Sequence, residues 1–135
     1  MPMDVTGKRI FLSGPMTGCP NLNVAAFADA HAILKEAGAE EIYDPAVEYL
    51  MQREKADGHS HEWYMTKCVA ELVRHAIPKG VNPLAIGTPC AINPKYDLLV
   101  SLPGWWDSSG ACIERSVADA CGIECVELSE VTAWE

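Results

Sequence analysis

Leu99-Val100-Ser101-Leu102-Pro103-Gly104-Trp105-Trp106-Asp107-Ser108-Ser109-Gly110-Ala111-Cys112-Ile113-Glu114 decides how this chain folds. The run starts inside an apolar, β-prone segment, Asp97 to Leu102, which reads as a strand. Pro103-Gly104 stops it. Ala111 to Cys121 then reads as a helix, with Ser108 or Ser109 as its cap and Gly122 as its stop. A loop that leaves the carboxyl end of a strand and enters a helix is where open α/β sheets bind ligands. This loop carries two tryptophans, two serines, two glycines and, one turn into the helix, a carboxylate. Such a set suits a small ligand with a ring, a sugar and a phosphate.

The same alternation extends outward. Lys8 to Ser13 reads as a first strand ended by Gly14-Pro15, and Asn21 or Asn23 caps a helix that runs to about Ala37, with Gly38 as its stop. Ala26, Phe27, Ala30, Ile33, Leu34 and Ala37 recur along it at helical spacing. Glu41-Ile42-Tyr43 is a short strand ended by Asp44-Pro45, and Val47 to Gln52 is the best part of a short helix. A further helix spans about Glu62 to His75. Leu84-Ala85-Ile86 reads as a short strand or a packed plug. Ile123 to Leu128 is the last strand, with a frayed tail after it. The order β-α-β-α-β-α-β predicts a single three-layer α/β/α domain over residues 1–135. Its sheet is parallel and Rossmann-like or flavodoxin-like, with four to five strands. A Pro/Gly-rich insertion at about 77–96 interrupts it.

Composition narrows the function classes. The 135 residues, 49% of them hydrophobic, suffice for one domain with its own core. No apolar run approaches the ~18 residues of a membrane span, so no membrane partner is expected. Met1-Pro2-Met3-Asp4 lacks the basic-then-apolar pattern of a secretion signal, and a cytoplasmic location is expected. Ten Lys+Arg against 19 Asp+Glu give a formal charge of −9, which argues against a long nucleic acid as partner. A single nucleotide remains compatible, because helix amides hold a phosphate without a basic patch. The six cysteines contain no CxxC pair and read as reduced, small apolar residues. His59 and His61 lack a convincing third ligand, so neither a metal nor any other cofactor is expected.

The candidate site residues follow from these elements. Glu114 shares a helix face with Ala111, Val117, Ala118 and Cys121, an apolar face that points at the sheet. A carboxylate there is desolvated, which raises its proton affinity. Ser108, Ser109 and Gly110 offer a cap together with hydroxyls and amides for a phosphate or sugar. Ser13-Gly14-Pro15-Met16 forms a small-residue turn that lets a ligand approach the backbone. Trp105 and Trp106 suit stacking on a base or burial in a subunit interface.

Ile10-Phe11-Leu12-Ser13-Gly14-Pro15-Met16-Thr17-Gly18, then Asn23, Phe27 and Tyr43-Asp44-Pro45-Ala46, resembles the opening of small nucleoside 2-deoxyribosyltransferase-like proteins, many of them encoded by phages and prophages. Leu99 to Trp105, followed by Ser108-x-Gly110-x-x-x-Glu114, resembles the second half of that pattern. The wider superfamily includes deoxyribosyltransferases and 2′-deoxynucleoside 5′-monophosphate N-hydrolases. The resemblance implies that Glu114 attacks the anomeric carbon, the base leaves, and another base or water takes the sugar from the covalent glycosyl-enzyme. It places Ser108 on a 5′-phosphate and Gly110 against the ligand. Asp44 and Tyr64 are the candidates for protonating the leaving base. The resemblance also implies a homodimer or larger homo-oligomer. One departure stands out. Relatives often carry an aspartate in the helix after the Tyr-Met pair, where this chain has Cys68, which bears on base recognition or proton delivery. The expected function is cleavage or transfer at the N-glycosidic bond of a (deoxy)nucleoside or its 5′-monophosphate. The alternatives are a non-catalytic nucleotide-binding module and a phage-accessory protein whose Trp-Trp loop serves a partner.

Overall fold

A computed structural model describes residues 3–16, 23–46, 61–76 and 93–132. Strands β1 (Arg9–Ser13), β2 (Glu41–Tyr43), β5 (Leu98–Ser101) and β6 (Glu124–Glu127) form one sheet in the order β2-β1-β5-β6, every pair parallel. Helix α1 (Val24–Glu36) links β1 to β2, and α3 (Ser109–Ala120) links β5 to β6. Helix α2 (His61–Leu72) and the two-residue strands β3 (His75–Ala76) and β4 (Asn93–Pro94), paired antiparallel, fall between β2 and β5. A short helix, α4 (Leu128–Thr132), follows β6. The expected parallel α/β, Rossmann-like fold is present. The predicted helix at 47–52, the segment 84–86 and His59 lie outside the described residues, as does most of the 77–96 insertion.

Alternation along the strands assigns each helix to a face. Ile10, Leu12, Leu98, Val100 and Val126 pack with Phe27, Ala30 and Leu34 of α1 and with Val131 of α4. The intervening residues, Phe11 and Leu99, pack with Cys68 and Leu72 of α2 and with Ala118 of α3. Both faces of β1 and β5 are therefore covered, as the unbroken apolar runs at 10–12 and 98–100 require. Each fully buried Val, Leu, Ile or Phe side chain among them contributes about 1.5–3 kcal/mol. Tyr43 extends the second cluster. Its ring stacks on Phe11 at 5.0 Å, and Tyr96 meets Phe11 edge-on at 5.6 Å.

Two expectations need correction. Asn21 lies outside the described residues, and Asn23 precedes α1 but makes no side-chain cap. It sits at φ 65, a left-handed conformation that Asn tolerates, and its Nδ2 donates instead to the Pro15 carbonyl at 2.9 Å. The tail beyond β6 is not frayed through Thr132. It turns into α4, buries Val131, and accepts a hydrogen bond at Glu130 O from Met3 N at 3.0 Å. The stops at Gly38 and Gly122 are as predicted, both at positive φ where a Cβ would be strained.

The strand order matters for the site. From β1 the chain moves to β2 on one side, and the next parallel strand, β5, lies on the other side of β1. The reversal opens a crevice at the carboxyl ends of β1 and β5, the usual ligand position in such sheets.

Candidate active site

Ser13 ends β1 and pairs in register with Ser101 at the end of β5, which pairs with Glu127 at the end of β6. All three belong to the sheet face that carries α2 and α3. Each holds one group from the segment that follows β5. Ser13 Oγ donates to Glu114 Oε1 at 2.7 Å. Arg115 donates to Ser101 Oγ at 2.9 Å. Trp105 Nε1 donates to Glu127 Oε1 at 3.0 Å. The Arg115 guanidinium lies 4.3 Å from the centre of the Trp105 ring, so the last two contacts form one unit.

Glu114 is 6% exposed, and its neighbours Gly110, Ala111 and Ala118 on α3 are buried with it. The predicted apolar face is real for Ala111 and Ala118. Val117 is half-buried, and Cys121, at the helix end, is exposed rather than packed. Burial pushes the Glu114 carboxyl up to about 7, while hydrogen bonds from Ser13 and Cys68 pull the other way. A carboxyl with this affinity exchanges its proton near neutral pH. Its ionised form is a poorly solvated, reactive carboxylate.

The start of α3 is built by Ser108, whose Oγ accepts from Ala111 N at 3.2 Å. Ser109 is the first helical residue and is exposed. Before it, Trp105–Asp107 makes one 3-10 turn, entered through Gly104 at φ 85. Gly14 is required by space, since a Cβ there would sit 2.7 Å from the Leu102 Cβ. The loops that follow β1 and β5 touch at that point.

A cleft opens beside Glu114, lined by Gly14, Met16, Tyr64, Cys68, Ser108 and Gly110, with Glu114 in its wall. Most of the predicted site residues thus come together. Ser13 is adjacent, spent on Glu114. Pro15 borders the loop and is tied by Asn23. Three predicted residues stand elsewhere. Trp105 is engaged with Glu127 and Arg115, and it does not line the cleft. Ser109 is outside the lining. Asp44 is buried, but its carboxylate is taken up by His31 Nδ1 at 2.9 Å and by Ala46 N at 2.9 Å, while its neighbour Pro45 lines the cleft. The placement of Cys68 beside Glu114 in the cleft lining is the feature that sequence reasoning missed. The four-residue spacing from Tyr64, which puts both on one helix face, was the available signal.

The chain matches the family described as Domain of unknown function (DUF4406) over residues 8–77, more than half of its length. It belongs to the DUF4406 family. No curated protein and no solved structure matches the chain. The DUF4406 match spans β1, α1, β2 and α2, and so takes in Ser13, Gly14, Tyr64 and Cys68. It ends before β5, so Ser108 and Glu114 enter the site on geometry. Among the described residues of this DUF4406 chain, no group of His, Cys, Asp and Glu could hold a metal ion, and no helix is long and apolar enough to cross a membrane.

Proposed function

We propose that this DUF4406 protein cleaves or transfers at the N-glycosidic bond of a (deoxy)nucleoside or its 5′-monophosphate, with Glu114 as the nucleophile. One observation carries the reading: a buried carboxylate, aimed by Ser13, in the crevice between the loops that follow β1 and β5. The resemblance of Ser108-x-Gly110-x-x-x-Glu114 to the deoxyribosyltransferase pattern supports the same assignment. In the proposed chemistry Glu114 bonds to the anomeric carbon as the bond to the base breaks. Water or a second base then takes the sugar, restoring the carboxylate with net retention. Tyr64, in the cleft wall, is better placed than Asp44 to deliver a proton to the leaving base. The amino end of α3 offers unpaired helix amides to a 5′-phosphate beside Ser108.

The test is base release, followed by chromatography, from a panel of deoxynucleosides and their 5′-monophosphates, with and without an acceptor base. Release is expected from wild type and not from Glu114→Gln, with product in the acceptor lanes separating transfer from hydrolysis. The ionised nucleophile gives kcat/KM an acid limb with a midpoint near 7. Release that survives in Glu114→Gln would remove Glu114 from the mechanism. Silence across the whole panel would leave ligand-induced thermal shifts to establish a nucleotide-binding module instead.

A further inference from the structure

The cleft contains one more polar group that the proposed chemistry leaves without a task, the Cys68 thiol. Cys68 is 4% exposed and packs with Phe11, Leu72 and Leu99. It follows Tyr64 by four residues on α2, and both line the cleft that Glu114 faces. Ser13 Oγ donates to Glu114 Oε1 at 2.7 Å, and the Cys68 thiol, in the same cleft lining as Glu114, acts with it to hold down the proton affinity of the carboxyl. Three elements therefore meet around one functional group: α3 brings the acid, β1 a donor and α2 the thiol.

We propose that Cys68 is a positioning residue for Glu114, its thiol completing with Ser13 a two-donor clamp that aims the carboxylate into the cleft. The inference deepens the glycosyl reading and rests on it for its link to turnover. Two donors fix a carboxyl group where one leaves it free to swing about its last torsion. A thiol is a neutral, weak donor that also fills apolar space, so it supplies this contact without adding a charge to a buried site. Because the donor favours the ionised form, its loss raises the proton affinity of Glu114 and depletes the nucleophile at neutral pH.

Other ionisable groups near Glu114 do not take over this role. Tyr64 comes from the same helix as Cys68 and lines the cleft. Arg115 is turned to Ser101 and Trp105, and Glu127 of β6 accepts from Trp105. Asp107 of the 3-10 turn is exposed, and β1 and β5 present serines here.

The experiment is an infrared titration of the Glu114 carboxyl in the free protein, isolated by subtracting Glu114→Gln. It is run on wild type, Cys68→Ala, Cys68→Ser and Cys68→Asp. The midpoint should rise by roughly half a unit to one unit in Cys68→Ala. It should return close to wild type in Cys68→Ser, which keeps a donor. It should rise furthest in Cys68→Asp, where a like charge faces the carboxylate. The acid limb of base release should move with it. A midpoint that stays or falls in Cys68→Ala overturns the clamp, as does a Cys68→Ser shift equal to that of Cys68→Ala. The titration needs no substrate. A shifted midpoint without base release from any protein would uphold the clamp and sink the glycosyl reading alone.

Discussion

Glu114 is held in a position that costs the folded chain stability. A carboxyl ordinarily titrates at 4.5, and burial moves this one to about 7. The folded state therefore binds the proton more tightly than the unfolded chain. The contribution to stability is fully present below about pH 4.5 and is lost as pH rises through 7. Glu114→Gln has no proton to lose. It should be more stable than wild type at pH 8, by something on the order of 3 kcal/mol, with the gap closing toward pH 4.5. Urea unfolding of the two proteins across that range measures it, and a gap independent of pH would contradict the assignment. Such destabilisation fits the role proposed for Glu114, because sites shaped for reactivity commonly give up stability. The sequence made the acid legible because its neighbours at positions 111 and 118 are apolar. It did not make the second donor legible, because Cys68 lies 46 residues earlier and reaches Glu114 only once α2 packs on α3.

At the scale of the element, the short segment between β5 and α3 does the positioning. Ser108 caps α3, and Ser109, one residue on, is exposed and does not. Ser108→Ala should cost about 1 kcal/mol, against close to nothing for Ser109→Ala. Chemical denaturation of the pair reads this directly, and equal losses would show that the cap is not where the energy lies. The strand-to-helix order here, the glycine stops and a serine cap at 108 or 109 were all readable from local patterns, which depend on residues a few positions apart. The partners of Asn23 and Trp105 were not legible, for the opposite reason. Asn23 has the chemistry of a cap, but the Pro15 carbonyl wins its amide. Trp105 has the ring of a base-stacking residue, but Glu127 and Arg115 claim it. Both competitors are set by the sheet, which brings together segments that local pattern does not connect. The last helix, α4, was hidden because five residues carry too little periodicity to register.

Across the whole molecule, the two faces of one parallel sheet carry two separate cores, and Phe11 is the hub of the one beneath the cleft. Its ring meets Tyr43 from β2 and Tyr96 from the run into β5. Phe11→Ala should lower the unfolding free energy by about 3–5 kcal/mol, a large share of the 5–15 kcal/mol typical of a domain. Ile33→Ala, at a site 36% exposed, should stay within about 0.5 kcal/mol. Comparable losses at both positions in equilibrium unfolding would mean that the cleft-side core does not dominate. The row of strand ends has one more consequence. Glu114 and Arg115 are consecutive in α3 and so point about 100° apart around its axis. They are pinned to adjacent strands, through Ser13 and Ser101. Together with the buried face of Ala111 and Ala118, the two pins set the azimuth of the helix. The compass bearing of the acid is thereby tied to Arg115 and, through it, to the Trp105 indole. Any event that rolls the helix must disturb that indole as well, which gives the molecule a built-in optical pointer to the heading of its own carboxylate.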